Sequence, residues 1–351
     1  MTVSPDIDAP LFSGAFGSEQ LVHLADPATG LRAVVAIDDT TLGPGLGGVR
    51  MRPYASPAAA AEEAQRLAAA MSLKNALAGL PYGGAKSVIL AGGVPSDAAG
   101  RAALMRRFGS FVAGLGGRYL PGVDMGTTTA DLDLVAASGA TVTCNDEDPS
   151  PWTALGVYQA IRAAVEHRWA ADGLRDVHVV IQGAGHVGAV LGELLVDAGA
   201  RITVSDVDPG RAAAVAERLG GTVVAPEGVA TVECDVFAPC AVARVVSAAT
   251  VDGLRCGVVA GAANDTLEDD GLAEDLLSAG ITYVPDFLAN AGGVIQIHGH
   301  LEGWETDRLV ARVGAIRDLT REVLAAADRE GTSPLVTARV LAQGRIDAAR
   351  R

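Results

Sequence analysis

A glycine fingerprint between a strand-like run and a helix-like run constrains the fold of this chain more than any other feature. The β-branched run Val177–Ile181 is followed by Gly183–Gly188, which reads G-x-G-x-x-G, and then by a segment typical of a helix. Asp206 ends the next strand-like run, 23 residues after the first glycine. A strand, a glycine turn, a helix and an acid at this spacing predict a Rossmann unit that binds a dinucleotide.

Each position of the fingerprint has a physical role in that interpretation. Gly183 permits a tight turn, Gly185 lets a pyrophosphate approach the backbone, and Gly188 lets the helix pack closely on the strand. Amide groups at the helix N-terminus donate to the pyrophosphate. Asp206 accepts hydrogen bonds from the adenosine ribose and repels a 2′-phosphate, which favours NAD over NADP. The fingerprint residues expected to bind the cofactor are Gly183, Ala184, Gly185, His186, Val187 and Gly188.

Length, charge and cysteine usage exclude several classes of protein. A chain of 351 residues is long enough for about two domains. Its net charge of −15 argues against nucleic acid as a partner, because phosphate backbones are bound by clustered Lys and Arg. We expect no membrane partner, since no apolar run is long enough to span a bilayer and no secretory signal is recognised. The four cysteines form no C-x-x-C pair, which favours a reducing cytoplasm over disulfides or structural zinc.

Two residues, Lys74 and Lys86, stand out because they are the only lysines among 27 basic residues. A helix predicted over 57–79 carries Lys74 on its apolar face, one turn after Met71. Lys86 is expected at the mouth of a buried strand over 87–90. A lysine, unlike an arginine, can lose its proton when its pKa is lowered. Helix geometry alone leaves a snorkelling side chain open as the alternative for Lys74.

Polar and small residues follow further strand-like runs in both halves of the chain. In the first half, Asp124 comes at a strand end and Asp131 is expected to cap the next helix, with a turn or cap role as the alternative for Asp124. In the second half, loops beyond the carboxyl ends of parallel strands are expected to line the nicotinamide end of the cofactor. These loop residues are Cys240, Ala241, Ala262, Asn264 and Asn290. Ordinary turn chemistry is the alternative for the two asparagines.

Taken together, these motifs resemble the Glu/Leu/Phe/Val amino-acid dehydrogenase family, and its leucine and valine branch in particular. The resemblance runs from about Glu19 to the C-terminal helices. The segments that carry it are LGPGLGG (42–48), SLKN (72–75), GGAKSV (83–88), DMGT (124–127), PSPWTA (149–154), the fingerprint (183–188), APCA (238–241), GAAN (261–264) and NAGG (290–293).

The resemblance implies a role for each matching polar residue. Lys74 is similar to the lysine that pairs with the substrate carboxylate, beside the backbone of Gly47 and Gly48. Lys86 is similar to the catalytic lysine, and Asp124 to the acid that assists proton transfer. Asn264 would lie between substrate and nicotinamide, and Thr153 would contact the cofactor. A lysine enclosed in an apolar cleft is expected to have a lowered pKa, as a base for this chemistry requires.

The resemblance also identifies the pocket for the substrate side chain. The residues concerned are Leu46, Met71, Gly122, Val294 and Ile297. Aliphatic Val294 and Ile297 suit a branched-chain substrate, whereas Gly122 lacks a methyl group and would enlarge the pocket, as an aromatic substrate requires. The chain departs from the family pattern at Val49, Ala85, Asp265 and the segment His298–His300. No metal site is expected, because two histidines alone are a poor ligand set.

We therefore expect a two-domain α/β enzyme with a cleft between the domains. A mixed α/β catalytic domain over 1–147, on which a C-terminal helix at about 333–351 packs back, would precede a Rossmann domain with a doubly wound parallel sheet over 148–332. The expected activity is NAD-dependent, reversible oxidative deamination of a branched-chain L-amino acid to the 2-oxo acid, ammonia and NADH. L-phenylalanine dehydrogenase activity is the alternative within the family, and a non-catalytic NAD-binding protein is the alternative from another class. The family resemblance also implies a homo-oligomer.

Overall fold

A computed structural model describes residues 17–143, 148–241 and 243–351. The chain forms two compact units, one comprising Met1–Asp146 with Gln343–Arg351 and the other Glu147–Ala342. The predicted domain boundary at 147 falls among residues 144–147, which lie outside the described residues. In the described residues, no helix is both long enough and apolar enough to cross a bilayer.

The first unit is built on a five-stranded mixed sheet with the order β1-β2-β4-β3-β5. Strands β3, β4 and β5 are parallel to one another, whereas β1 and β2 run antiparallel to their neighbours. The strands are β1 Gln20–Asp26, β2 Leu31–Asp39, β3 Gly45–Arg52, β4 Gly83–Leu90 and β5 Tyr119–Val123. The helices that accompany them are α1 Pro57–Leu77, α2 Ala98–Ala113 and α3 Thr129–Ala136.

Side chains alternate between the two faces of this sheet, as the period of two in a strand requires. One face of the sheet packs against α1, in a cluster that contains Val34, Ala36 and Val88 of the strands together with Ala60 and Ala64 of the helix. The other face packs against α2 and α3, in a cluster that contains, among others, Val35, Val49, Ile89, Phe108 and Leu132. Lys86 lies two residues before Val88 in β4 and therefore shares the face that is turned toward α1.

Both ends of α1 are capped by side chains. Ser56 accepts a hydrogen bond from the amide of Ala59, and Pro57 starts the first turn. At the other end, Arg345 donates to the carbonyl oxygens of Ala76 and Leu77 in the last turn. A residue from the end of the chain thus holds the turn that follows Lys74.

Two local predictions in this unit are wrong. Lys86 does not lie at the mouth of a strand, because β4 already begins at Gly83. Pairing with β2 on one side and β3 on the other places Gly83 and Gly84 in the strand as well. Asp131 is not the cap of α3. Thr128 is the N-cap, and Asp131 occupies the third helical position, from which its carboxylate accepts the Thr128 amide in a capping box.

The second unit contains a six-stranded sheet with the order β11-β10-β9-β6-β7-β8, in which every paired strand is parallel. The strands are β6 His178–Gln182, β7 Arg201–Ser205, β8 Thr222–Val223, β9 Val236–Pro239, β10 Val258–Val259 and β11 Thr282–Tyr283. The helices are α4 Ser150–Trp169, α5 His186–Asp197, α6 Pro209–Leu219, α7 Leu272–Ser278, α8 Asp286–Ala289, α9 Gly292–Leu301, α10 Thr306–Gly314, α11 Ile316–Glu330 and α12 Pro334–Ala349. The residues of α12 from Gln343 onward belong to the first unit.

The strand order of this sheet reverses between β6 and β9, which are neighbours although β7 and β8 separate them in the chain. Such a reversal is the switch point beside which an open parallel sheet binds its ligand. The predicted architecture, a mixed α/β unit followed by a doubly wound parallel unit, is therefore confirmed. Strands β10 and β11 are shorter than the runs at 257–261 and 281–286 predict, because only two residues of each pair with a neighbouring strand.

Candidate active site

In the first unit, Lys86 and Asp124 form an ion pair with 2.8 Å between Nζ and Oδ2. Strand β4 supplies Lys86, and Asp124 is the residue directly after β5. The two side chains are only 10% and 20% exposed. A lysine and an aspartate that lie 38 residues apart in the sequence are thus brought together and largely shielded from solvent.

Two glycines make room for this pair. A Cβ atom on Gly48 would lie 2.6 Å from Cβ of Asp124 and 3.3 Å from Nζ of Lys86. On Gly47 it would overlap the carbonyl oxygen of Ala85 and lie 3.4 Å from Cγ of Met71. Gly48 therefore follows from close packing against the ion pair, and Gly47 from close packing against the backbone of β4. Together they leave backbone without side chains beside the lysine and the methionine.

Arg50 and Glu63 extend the ion pair into a network of four charges. Arg50 Nε donates to Oδ2 of Asp124 at 3.0 Å, and Arg50 Nη1 donates to Oε1 of Glu63 at 2.6 Å. Their side chains are 13% and 16% exposed. Neither residue is predicted from the sequence. A charged residue two positions after Gly48 in a buried strand was an available signal for Arg50, whereas nothing marked Glu63 on the Ala-rich α1.

The network perturbs the protonation of its members in a definite direction. Burial lowers the pKa of Lys86, an effect that Asp124 opposes and Arg50 reinforces. Burial by itself would raise the pKa of Asp124, but the Lys86 and Arg50 cations hold it well below its usual value. Asp124 is therefore an ionised carboxylate over the working range of pH, and Lys86 is the group whose charge can change.

Asp124 is held in place through its loop as well as through its cations. The hydroxyl of Thr127 donates to the carbonyl oxygen of Val49 at 2.8 Å and accepts the amide of Asp124 at 3.1 Å. The carboxylate is thereby tied to β3, the strand that also carries Arg50 and the two glycines. This anchoring limits how far Asp124 can move relative to Lys86.

The residues expected to bind substrate in this unit are enclosed. Leu46 is buried on β3, and Lys74 on α1 is 9% exposed, so its side chain does not extend into solvent as a snorkelling lysine would. The interpretation of Gly122 is wrong. A Cβ atom there would lie 2.8 Å from Oγ1 of Thr143, whose hydroxyl fills the space that the missing methyl group was expected to leave open.

In the second unit, the three glycines of the fingerprint have the geometry that a dinucleotide site requires. Gly183 has a φ of +105°, which a residue with a side chain rarely adopts. A Cβ atom on Gly185 would meet nothing within 4 Å, whereas one on Gly188 would overlap the carbonyl oxygen of Gly183. Helix α5 begins at His186 without a side-chain cap, so its first amides can donate to an anion.

Asp206 links the turn to the strand that follows it. Its Oδ2 accepts the amide of Ala184 at 2.8 Å, and its Oδ1 accepts the amide of Asp208 at 2.9 Å. Each carboxylate oxygen has a second lone pair, which a ribose hydroxyl could use. Arg211 lies 3.7 Å from Oδ1 of Asp206, and 52% of its side chain is exposed. Asp206 therefore orders the glycine turn in addition to its expected contact with the ribose.

The loops beyond β9, β10 and β11 bring the predicted asparagines together. Asn290 Nδ2 donates to the carbonyl oxygen of Ala262 at 3.1 Å and to Oδ1 of Asn264 at 2.9 Å. Oδ1 of Asn290 is buried without a hydrogen-bond partner. The amide of Cys240 donates to the carbonyl oxygen of Gln182 at 2.7 Å, which places Cys240 and Ala241 next to the fingerprint turn. An unpartnered acceptor, open space at Gly185 and uncapped amides at α5 together fit a dinucleotide that ends in a carboxamide.

Helix α9 carries the remaining predicted residues. Val294 and Ile297 are half-buried and lie three residues apart, so they share one face of the helix. Thr153 of α4 lies beside Gly293, where an added Cβ atom would be 2.8 Å from Oγ1 of the threonine. His298 is buried and its ring makes a T-shaped contact with Trp304, whereas His300 is exposed, so the two imidazoles have different surroundings.

Comparison with known proteins gives matches along nearly the whole chain. A family described as Glu/Leu/Phe/Val dehydrogenase, dimerisation domain, matches residues 19–140, and one described as Glutamate/Leucine/Phenylalanine/Valine dehydrogenase matches residues 210–351.

Individual relatives are similar over comparable lengths. The chain is 39% identical to leucine dehydrogenase of Thermoactinomyces intermedius, over 95% of this chain and 92% of the relative. It is 41% identical to valine dehydrogenase of Streptomyces coelicolor, over 95% and 93%. Among solved structures, L-tryptophan dehydrogenase from Nostoc punctiforme superposes with a TM-score of 0.82 at 35% identity, over 95% of this chain and 97% of that chain.

Proposed function

Because the chain belongs to the Glu/Leu/Phe/Val dehydrogenase family, we propose that it catalyses the reversible, NAD-dependent oxidative deamination of a branched-chain L-amino acid. The products would be the 2-oxo acid, ammonia and NADH. The observation that carries the proposal is the enclosed Lys86–Asp124 pair, 2.8 Å apart beside the bare backbone of Gly48. A lysine of lowered pKa held by a permanent anion is suited to general base catalysis.

Each charged residue of the first unit has a distinct role in this proposal. Lys74 pairs with the substrate carboxylate and therefore remains protonated. Lys86 removes a proton from the water that adds to the imino carbon, and later returns a proton to the departing ammonia. Asp124 stays ionised and orients the Lys86 ammonium through its Oδ2. This division differs from the expectation that Asp124 itself relays protons, because a carboxylate whose pKa is held well below its usual value is a weak proton acceptor.

The second unit would hold the cofactor. NAD, when bound, supplies the acceptor for the hydride that leaves Cα. The amides at the start of α5 would donate to the pyrophosphate, and Asp206 would accept from the ribose. Asn290 would accept from the carboxamide through its unpartnered Oδ1. Asp206 would also repel a 2′-phosphate, which supports NAD rather than NADP.

The proposed substrate class is supported by the relatives and by the pocket residues. The chain is similar to a leucine and a valine dehydrogenase, and Val294 and Ile297 present short aliphatic groups. The hydroxyl of Thr143 fills the space beside Gly122. The missing side chain at Gly122 therefore does not support an aromatic substrate. An aromatic amino acid remains the second candidate, because the chain is also similar to an L-tryptophan dehydrogenase.

We further propose that the enzyme is a cytoplasmic homo-oligomer. The family that matches residues 19–140 is described as a dimerisation domain, which supports self-association through the first unit. Cys234, Cys240 and Cys256 are free thiols, as a reducing compartment favours. Sedimentation of the purified chain would give its assembly state.

The proposal is tested by NADH formation at alkaline pH with L-valine, L-leucine, L-isoleucine, L-phenylalanine, L-tryptophan and L-glutamate. We expect turnover with the aliphatic branched substrates and a strong preference for NAD over NADP. Lys86→Met is expected to abolish turnover while NADH still binds, as measured by its fluorescence. Lys74→Met is expected mainly to raise KM, because the carboxylate contact is lost.

Arg107→Met serves as the matched control, since Arg107 pairs with Asp26 rather than with the Lys86 network. Its activity is expected to equal that of the wild type. Normal activity of Lys86→Met would overturn the assigned base. Turnover with aromatic substrates alone would favour the second candidate, and NADH binding without turnover of any amino acid would favour the non-catalytic protein.

A further inference from the structure

Asp124 receives two cations on one oxygen atom. Oδ2 lies 2.8 Å from Nζ of Lys86 and 3.0 Å from Nε of Arg50. Two buried donors on one carboxylate oxygen share its negative charge. The attraction that Asp124 exerts on a proton of Lys86 therefore depends on whether Arg50 is present.

Arg50 can occupy this position because its guanidinium has donors on two sides. Nε faces Asp124, while Nη1 faces Glu63 of α1 at 2.6 Å. The fixed planar geometry of the guanidinium lets one side chain bridge two carboxylates, which the single ammonium of a lysine does less well. Glu63 thus holds the far end of Arg50 and directs Nε toward Asp124.

The charged groups around Lys86 come from three neighbouring elements. Asp124 follows β5, Arg50 lies on β3, and Glu63 lies on α1, which also carries the buried Lys74. On β2, Lys86 is opposite Ala36, and the next carboxylate along that strand, Asp38, accepts a hydrogen bond from Ser72 of α1. Arg50 contacts Asp124, and Glu63 contacts Arg50. The proposed function gives neither residue a role in binding substrate or cofactor or in proton transfer.

We propose that Arg50, which Glu63 holds in place, is a positioning residue. Arg50 shares the charge of Asp124, and Lys86 can therefore lose its proton more readily. This inference rests on the proposed function, in which Lys86 is the base. The direction of each effect follows from the charges. Arg50 lowers the pKa of Lys86 and Glu63 raises it. Removing Arg50 takes away one of the two cations on Oδ2 of Asp124 and leaves Glu63 with Arg52 at 4.0 Å. The full charge of Asp124 then acts on Lys86, which holds its proton more tightly.

Three variants separate these effects. Arg50→Met is expected to move the acid limb of the kcat profile to higher pH by roughly one unit, the usual effect of one neighbouring charge. Glu63→Gln keeps an acceptor for Arg50 and removes only the negative charge, so it is expected to move the limb to lower pH. Arg50→Lys keeps the charge but not the bridge between the two carboxylates, and it is expected to return the limb part of the way to the wild-type position. Arg107→Met, the matched control, is expected to leave the limb unchanged.

A second readout does not require turnover. Lys74 and Lys86 are the only lysines of the chain, so acetylation by acetic anhydride across a pH series can be followed for each by peptide mass spectrometry. The midpoint of the Lys86 labelling curve is expected to rise in Arg50→Met and to fall in Glu63→Gln. The midpoint for Lys74 provides the internal reference.

The two readouts distinguish failure of this inference from failure of the proposed function. If no amino acid is turned over but the Lys86 midpoint shifts as described, the inference about Arg50 stands and the proposed function falls. If turnover is observed but neither the limb nor the midpoint moves in Arg50→Met, Arg50 has only a structural role. Should Arg50→Met fail to fold, Glu63→Gln decides the question, since an unchanged midpoint there overturns the inference.

Discussion

Gly48→Ala is the substitution whose effect can be worked out most directly from the structure. The added Cβ atom would lie 2.6 Å from Cβ of Asp124 and 3.3 Å from Nζ of Lys86. Carbon atoms in favourable contact are about 3.5–4.0 Å apart, so Asp124 must move by about 1 Å. Thr127 ties the Asp124 loop to β3 and opposes this movement. The strain therefore falls on the ion pair itself.

A displacement of this size is large for a catalytic pair. A misplacement of about 1 Å can cost about 100-fold in rate, which corresponds to about 2.7 kcal/mol in the activation barrier. Overpacking also costs about 1–3 kcal/mol in stability. We expect kcat with the preferred amino acid to fall by about two orders of magnitude, and binding of NADH to persist because the fingerprint lies in the other unit.

The matched control is Gly92→Ala, since an added Cβ atom on Gly92 would meet nothing within 4 Å. Its kcat and its thermal midpoint are expected to stay close to those of the wild type. The assay compares kcat, KM and NADH affinity of both variants with those of the wild type. If Gly48→Ala retained kcat within twofold while remaining folded, the close approach of Gly48 to the ion pair would not matter for catalysis.

Three further predictions concern other parts of the chain. Asp206→Ala should weaken NAD binding by about 1–3 kcal/mol and reduce the preference for NAD over NADP, because the ribose acceptor and the contact to the Ala184 amide are both lost. An unchanged ratio of kcat/KM for NAD and NADP would contradict this. Burial raises the pKa of Cys240 to about 12, so iodoacetamide at neutral pH should leave activity intact. Rapid inactivation traced to Cys240 by mass spectrometry would show that this thiol is not protected by burial. Arg345→Met should lower the free energy of unfolding in urea by about 1–2 kcal/mol, because two carbonyl groups at the end of α1 lose the hydrogen bonds from the guanidinium; an unchanged urea midpoint would show that water replaces it.

The fold could be predicted because its signals are local. The strand, glycine turn and helix around Gly183–Gly188 lie within a short stretch of chain. Gly183 is required by its own positive φ, and Gly188 by its contact with the carbonyl oxygen of Gly183. The same holds for the order of motifs that identifies the family, since each motif is short. The boundaries of individual strands were less predictable, because pairing with neighbours decides whether residues such as Gly83 and Gly84 are extended.

The candidate site likewise contains residues that the sequence predicts and features that only the structure shows. Lys86 and Asp124 could be singled out from their residue types and from the family resemblance. The space at Gly122 could not be judged, because the group that fills it, the hydroxyl of Thr143, comes from a segment 21 positions later. The cap of α3 was misassigned to Asp131 because Thr128 and Asp131 both satisfy the capping pattern, and only the backbone geometry distinguishes the N-cap from the third helical position.

By itself, the sequence determined the order of elements, the dinucleotide fingerprint and the residue types able to carry proton transfer, because these depend on local backbone chemistry and on side-chain identity. Only the tertiary structure decided which charges surround Lys86. Arg50 and Asp124 are 74 positions apart in the chain, yet Arg50 Nε lies 3.0 Å from the same Oδ2 of Asp124 that Lys86 contacts. Electrostatic interaction depends on distance and burial rather than on sequence separation. The protonation of the base is therefore a property of the folded sheet, and no single motif contains it.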